Sequence, residues 1–177
     1  MNFYVRRFNL YLLLMLAFSV AFAGCATSSK KKKAEPLAAI RVAIESSANA
    51  EGQGQTVSVL RADPVLVTVA KDPVLTEADL LRASLIATPG GFAIELKFDE
   101  TGSWTLEQFS AAYAGKHFVI YAQWGDKLKD GRWLAAPLIT GRIASGVLAF
   151  TPDMSREEAQ KLVAGLNNVA KKLQTGK

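Results

Sequence analysis

The sequence predicts an α+β fold in which about three helices cover one face of a mostly antiparallel sheet. Several runs alternate apolar and polar residues with a period of two, as half-buried strands do. Three segments begin with helix-capping pairs, and the last of them also carries apolar residues at helical spacing. The predicted order is β-β-β-α-β-α-β-β-β-α, and the chain contains no internal repeat.

The first part of the chain has the pattern of an export signal. A positively charged start precedes residues 10–22, which are almost wholly apolar. The small residues Ala23 and Gly24 come next, and then Cys25, the only cysteine. Cleavage before Cys25 would free its α-amino group and its thiol for acylation. The pattern therefore resembles the lipobox of a bacterial lipoprotein.

Two alternatives remain open, namely a secretory signal with an incidental cysteine and an uncleaved helical anchor. Phe22 stands where a lipobox usually has Leu, Val or Ile, whereas the apolar run is short for a membrane span of about 20 residues. We predict a signal peptide over residues 1–24, acyl chains such as palmitate on Cys25, and a Lys- and Ser-rich tether over residues 25–36. Ala26 is not the aspartate that commonly retains lipoproteins at the inner membrane. Resemblance to Gram-negative sorting therefore favours the periplasmic side of the outer membrane.

The net charge of +5 does not indicate a nucleic-acid partner. Arg6, Arg7 and the run Lys30 to Lys33 lie in the predicted signal peptide and tether, so the remainder of the chain is close to neutral. A single cysteine excludes a disulfide within the chain, and burial of apolar surface must therefore stabilise the fold.

The globular part divides into two predicted segments. Residues 37–71 form an N-terminal strand segment, because residues 40–45 alternate in polarity and residues 56–60 and 65–70 are rich in β-branched side chains. Residues 72–174 form an α+β domain that combines the three helices with four further strands.

The three helices are predicted from capping pairs followed by apolar residues. The first helix has the capping pair Thr76 and Asp79 and extends to Leu85. The second has the pair Thr105 and Gln108 and extends to Ala112. The third has the pair Ser155 and Glu158 and extends to Leu173. Trp104 precedes the second pair and is interpreted as a hydrophobic staple. The third helix has an apolar stripe made of Ala159, Leu162, Val163, Leu166, Val169, Ala170 and Leu173. The strands between the helices are predicted over 92–98, 117–124, 133–139 and 147–150.

The sequence contains no catalytic or metal-binding constellation. His117 is the only histidine, and neither an HExxH nor a CxxC motif is present. His117 is interpreted as a surface or edge-strand residue, and Asp99-Glu100 and Glu157-Glu158 as helix-terminal or turn residues. We therefore predict a protein that is not an enzyme and that has no cofactor, metal or small-molecule substrate.

Trp124 and Trp133 flank a polar hairpin segment, residues 126–132. Either the two rings pack across strands or in the core, or they line an apolar groove that binds another protein. Both interpretations remain open, and the second makes this hairpin a possible protein-binding element.

A series of short motifs resembles a known family. The motifs are Asp72-Pro73-Val74-Leu75-Thr76, Asp79 to Ala83, Gly91 to Gly102, Phe109, Gly115 to Tyr121, Ala136-Pro137-Leu138-Ile139, Ile143 to Gly146, and Phe150 to Leu166. In order and spacing they are similar to the head of the first periplasmic domain of SecD, a membrane subunit of the bacterial protein-export machinery. The resemblance covers residues 72–168, and it matches residues 37–71 more loosely.

The resemblance implies the α+β head fold and a role in contacting polypeptide outside the inner membrane. Two departures are Glu77, where the family has a glycine, and an apparent insertion over residues 126–132. SecD also has membrane helices that couple export to proton flow, and no segment after Phe22 is long and apolar enough to span a membrane. The leading hypothesis is a lipid-anchored, non-catalytic module that binds polypeptides or proteins of the envelope and translocon. The alternative is a structural envelope lipoprotein with no role in export.

Overall fold

The computed structural model describes residues 35–46 and 54–176 of the 177-residue chain. The predicted signal peptide, Cys25 and most of the predicted tether lie outside the described residues. The described strands are β1 (Ala39–Ile44), β2 (Gly54–Val59), β3 (Val65–Ala70), β4 (Leu75–Thr76), β5 (Leu80–Thr88), β6 (Gly91–Phe98), β7 (Phe118–Trp124), β8 (Asp130–Ala135) and β9 (Val147–Phe150). The described α-helices are α1 (Glu100–Ala112) and α2 (Arg156–Thr175).

The strands form three antiparallel sheets. A four-stranded sheet has the order β4-β1-β7-β8, β2 and β3 form a hairpin, and a three-stranded sheet has the order β5-β6-β9. Every pairing between these strands is antiparallel. The predicted α+β class with mostly antiparallel sheets is confirmed, although the described part contains two α-helices instead of about three.

Strand β1 lies inside the four-stranded sheet, between β4 and β7. It pairs along its whole length with β7, from Ala39 opposite Gln123 to Ile44 opposite Phe118. The carboxylate of Glu77 accepts a hydrogen bond from the backbone N–H of Ile40 at 3.0 Å. Glu77, which departs from the glycine of the family motif, therefore ties the turn after β4 to β1.

The first predicted helix is wrong. The capping box of Thr76 and Asp79 is present, but it closes only a single 3-10 turn, Glu77–Asp79, and the chain continues as strand β5. A bulge in the pairing of β5 with β6 lies between Leu80 and Arg82. Because the bulge adds a residue, Leu80 and Ala83 are both buried although they lie three positions apart, as residues on one face of a helix do.

The predicted start of the second helix is also wrong. Helix α1 begins earlier, where the side chain of Asp99 accepts a hydrogen bond from the N–H of Gly102 at 2.8 Å. Thr105 lies inside the helix, and its hydroxyl donates to the carbonyl of Thr101 at 3.0 Å. Trp104 also lies within α1 and is 62% exposed, so it is not a hydrophobic staple.

Helix α2 is the predicted third helix, and its capping box is confirmed. The N–H of Glu158 donates to the hydroxyl of Ser155 at 3.2 Å, and the N–H of Ser155 donates to the Glu158 carboxylate at 2.8 Å. Leu162 and Leu166 are fully buried in the main core. Each buried leucine contributes on the order of 1.5–3 kcal/mol to stability relative to an exposed one.

Helix α2 also closes the outer edge of the three-stranded sheet. The amide of Asn167 accepts a hydrogen bond from the N–H of Ala83 at 2.8 Å and donates to its carbonyl at 2.9 Å. This side chain satisfies the backbone groups that an additional strand would otherwise pair with. The edge strand β5 is thereby joined to the helix that packs on it.

Candidate functional site

The four-stranded sheet has two faces with different surroundings. One face carries Ile40, Val42, Phe118, Ile120 and Trp124 into the main core. The β2–β3 hairpin lies over the other face and forms a second, smaller apolar cluster, composed of Ala43, Val57, Val59, Val67, Val69 and Val119, with Trp133 and Ala136 packed against it. The hairpin covers only part of this second face of the four-stranded sheet. The candidate site lies on the part that it leaves uncovered.

Two aromatic rings form the floor of the uncovered part. Tyr121 on β7 lies opposite Trp133 on β8, and their ring centroids are 5.2 Å apart with a tilt of 59°. Both side chains are half-buried. A Cβ at position 131 would lie 2.7 Å from the Tyr121 hydroxyl oxygen, so Gly131 leaves the space that this hydroxyl occupies.

A cavity of about 320 Å³ opens between this floor and the hairpin. The polar and aromatic residues that line it are Arg41, Gln55, Lys71, Tyr121, Gln123 and Trp133. We call it the cationic cavity, because two cations line it and no described carboxylate does. It combines aromatic surface with amide groups that can hydrogen-bond to a peptide backbone.

A second cavity of about 450 Å³ shares Tyr121 and Trp133 with the first. Leu60 and the arginines Arg61 and Arg132 also line it. We call it the paired-arginine cavity. The two cavities with their shared aromatic floor are together called the groove.

Both arginines of the paired-arginine cavity are held by carboxylates. Arg61 Nε lies 3.1 Å from Asp153 Oδ2, and an Nη atom of Arg132 lies 3.0 Å and 3.1 Å from the two carboxylate oxygens of Glu158. The hydrogen bonds from Arg61 lower the pKa of Asp153. The pKa of Glu158 is lowered first by the backbone N–H of Ser155 and then by Arg132.

The two tryptophans of the predicted binding hairpin lie on opposite faces of the sheet. Trp124 is 2% exposed and packs in the main core, with the guanidinium of Arg132 5.0 Å from its ring. Trp133 packs beside the hairpin cluster and lines both cavities. Of the two, only Trp133 presents its ring to the groove.

His117 lies away from the lining of the groove. Its Nδ1 is 2.7 Å from a carboxylate oxygen of Glu45, which also accepts the His117 backbone N–H at 3.0 Å. Within residues 35–46 and 54–176, no group of His, Cys, Asp and Glu side chains is placed to hold a metal ion. Neither α1 nor α2, the α-helices of the described part, has an apolar stretch of the length required to cross a membrane.

Several groove residues could not be found from local sequence patterns. The alternation of β1 places Arg41 on the face opposite Ile40 and Val42, but it does not show that β7 is its neighbour. The pairing of Arg41 with Tyr121 joins distant parts of the chain. Lys71 comes directly after β3, and nothing local indicates that it lines a cavity.

The α+β fold and the sequence motifs place the chain in a known family of head subdomains. The sequence model of the SecDF P1 head subdomain family matches residues 54–170, which is more than half of the chain. The chain therefore belongs to the SecDF P1 head subdomain family. The match includes β2 and β3, which form the hairpin over the groove. No curated protein matches the sequence.

Solved structures of SecDF share the fold. A structure of SecDF, a membrane component that enhances protein export, aligns with a TM-score of 0.53 and 22% identity over 75% of this chain and 63% of its own. SecDF in a super-membrane-facing form aligns with a TM-score of 0.52 and 22% identity over 73% of this chain and 18% of its own. The chain thus spans less than two thirds of each SecDF chain, and the likeness is one of fold.

Proposed function

We propose that this protein is a non-catalytic binding module of the cell envelope that holds polypeptide segments in the groove during protein export. Membership of the SecDF P1 head subdomain family supports a role related to protein export. The observation that carries the proposal is the groove, whose floor is the Tyr121–Trp133 pair. Its partners are exported polypeptides or subunits of the translocon.

The chemistry of the groove supports an extended polypeptide as its occupant. Half-buried aromatic rings offer apolar surface to side chains of many shapes, and this favours binding without strict sequence specificity. Gln55 and Gln123 add amide donors and acceptors beside the rings. The outer edge of β2 has no paired strand among the described residues, and an extended segment can add to such an edge through backbone hydrogen bonds.

The composition of the groove also supports binding without catalysis. No histidine, cysteine or carboxylate of the described residues lines either cavity. Ser58 lines the paired-arginine cavity, but a serine nucleophile needs an adjacent general base, and no described histidine or carboxylate lines that cavity beside it. In this proposal, the ion pairs of Arg61 with Asp153 and of Arg132 with Glu158 have a structural role and fix the positions of the two arginines.

The proposal retains a lipid anchor on the periplasmic side, with the outer membrane favoured over the inner. In it, residues 1–24 are removed and Cys25 carries the acyl chains, with residues 25–36 as the tether. Mass spectrometry of the mature N-terminus tests the anchor. We expect an acylated Cys25, and an intact Met1 or an unmodified N-terminus beyond Cys25 would exclude it.

Photo-crosslinking in living cells tests the binding function. A photoreactive phenylalanine analogue replaces Gln123 in the groove, and a matched variant carries it at Lys97 on the exposed side of β6. We expect crosslinks from position 123 to exported chains or translocon subunits, and few from position 97. Crosslinks only to other envelope lipoproteins would instead favour a structural lipoprotein that has no role in export.

A further inference from the structure

We infer that the cationic cavity selects polypeptide segments in which apolar side chains are flanked by Asp or Glu. This inference rests on the proposed function and names the substrate class of the same groove. The occupant is a polypeptide whose carboxylates meet Arg41 and Lys71 while its apolar side chains contact Tyr121 and Trp133.

The two cavities differ in whether their cations are paired with carboxylates of the same chain. At the paired-arginine cavity, Arg61 and Arg132 are each bound to a carboxylate of the same chain. At the cationic cavity, Arg41 and Lys71 take part in no ion pair within the described part of the chain. Both cations are exposed, and their charge is available to a ligand.

The cations lie next to the aromatic floor. Arg41 on β1 is directly opposite Tyr121 on β7 in the antiparallel register, so their side chains share one face of the sheet. Lys71 comes directly after β3 and approaches the same cavity from the hairpin. An arginine binds a carboxylate through a planar pair of donors, which gives geometric preference as well as charge attraction.

Arg41 and Lys71 line the cavity, and none of the described residues that line it is acidic. A positively charged ligand therefore gains nothing there, whereas a negatively charged one is attracted from both walls. Since both cations are exposed to water, we expect a modest selectivity. A preference of about three- to tenfold for acidic over neutral flanks is consistent with two exposed ion pairs.

Three labelled peptides with blocked ends provide the test. They share one apolar core and differ only in flanking residues, which are Glu, Gln or Lys. Binding to the purified full chain in non-ionic detergent is followed by fluorescence anisotropy. The test variant is Arg41→Gln with Lys71→Gln. The control variant is Arg82→Gln with Lys97→Gln, which removes the same charges from a cross-strand pair on β5 and β6.

We expect the Glu-flanked peptide to bind most tightly and the Lys-flanked peptide most weakly. The preference should disappear in the Arg41/Lys71 variant, persist in the Arg82/Lys97 variant, and weaken as salt is added. Loss of the preference in both variants would overturn the inference, because it would reflect the general charge of the surface.

The remaining outcomes separate this inference from the proposed function. Equal binding of all three peptides would overturn the acidic preference and leave polypeptide binding intact. Binding of none would contradict both. Short-chain phosphatidylglycerol is added as a competitor, and displacement of the Glu-flanked peptide by it as effectively as by unlabelled peptide would assign the cations to anionic lipid instead.

Discussion

The two faces of the four-stranded sheet differ in how completely they are covered. On one face, helices and the three-stranded sheet enclose a continuous core that includes Phe118, Ile120 and Trp124. On the other, a two-stranded hairpin covers a small cluster and leaves Tyr121 and Trp133 half-exposed. The same strands therefore supply stability through one set of alternate residues and the proposed binding surface through the other.

The largest expected effect is on the enclosed face. Leu166→Ala removes a fully buried side chain of α2 and should lower the free energy of unfolding by about 2–5 kcal/mol. Lys161→Ala, an exposed change on the same helix, should stay within about 0.5 kcal/mol of the parent. Urea denaturation measures both. Equal midpoints would show that α2 does not pack on the core through Leu166.

A smaller effect is expected where α2 closes the edge of β5. Asn167→Ala leaves the N–H and carbonyl of Ala83 without their partner and should cost about 1–3 kcal/mol. Asn168→Ala is the matched control, because the half-buried Asn168 bonds, among the described residues, only to the carbonyl of Pro36 and through an exposed hydrogen bond. If the two variants unfolded at the same urea concentration, the edge closure would contribute nothing.

The carboxylate of Glu158, which accepts hydrogen bonds from the backbone N–H of Ser155 and from Arg132 beside the groove, should give a pH-dependent effect. The pKa of Glu158 is lowered in the folded protein, so its contribution to stability is present above the unfolded pKa and is lost as pH falls through the folded pKa. Glu158→Gln should therefore reduce the loss of stability in acid. Glu157→Gln, an exposed change one residue earlier, should not. Denaturation curves between neutral pH and about pH 3 measure this, and parallel profiles for all three proteins would contradict it.

Local sequence patterns predicted an element correctly where the pattern was compatible with only one type of secondary structure. The capping box of Ser155 and Glu158, with a stripe at helical spacing after it, correctly predicts α2. The same type of cap at Thr76 and Asp79 precedes a strand, since pairing of β5 with β6 outweighs a short helical pattern. A cap therefore marks a turn of helix, and tertiary pairing decides whether the chain continues as a helix or as a strand.

The groove depends on neighbours that are distant in the sequence. Trp133 was a candidate from the sequence because it flanks a polar hairpin, and the structure places it in the groove beside Tyr121. Trp124 has the same local context, but its position on the opposite face of the sheet buries it. The register of β7 with β1 and β8 determines which side chains of each strand face the hairpin. That register depends on residues that are distant in the sequence, so local patterns do not predict it.

A comparison of two tryptophans tests the central claim that the groove is the polypeptide-binding surface. Trp133→Leu removes the ring from the groove but keeps an apolar side chain beside the hairpin cluster, and Trp104→Leu removes a more exposed ring from α1. Affinity of the full chain for the Gln-flanked peptide is measured for both variants after circular dichroism confirms their fold. Loss of about tenfold or more for Trp133→Leu, with parent-like affinity for Trp104→Leu, is the predicted result. Unchanged affinity for Trp133→Leu, or a larger loss for Trp104→Leu, would place polypeptide binding outside the groove.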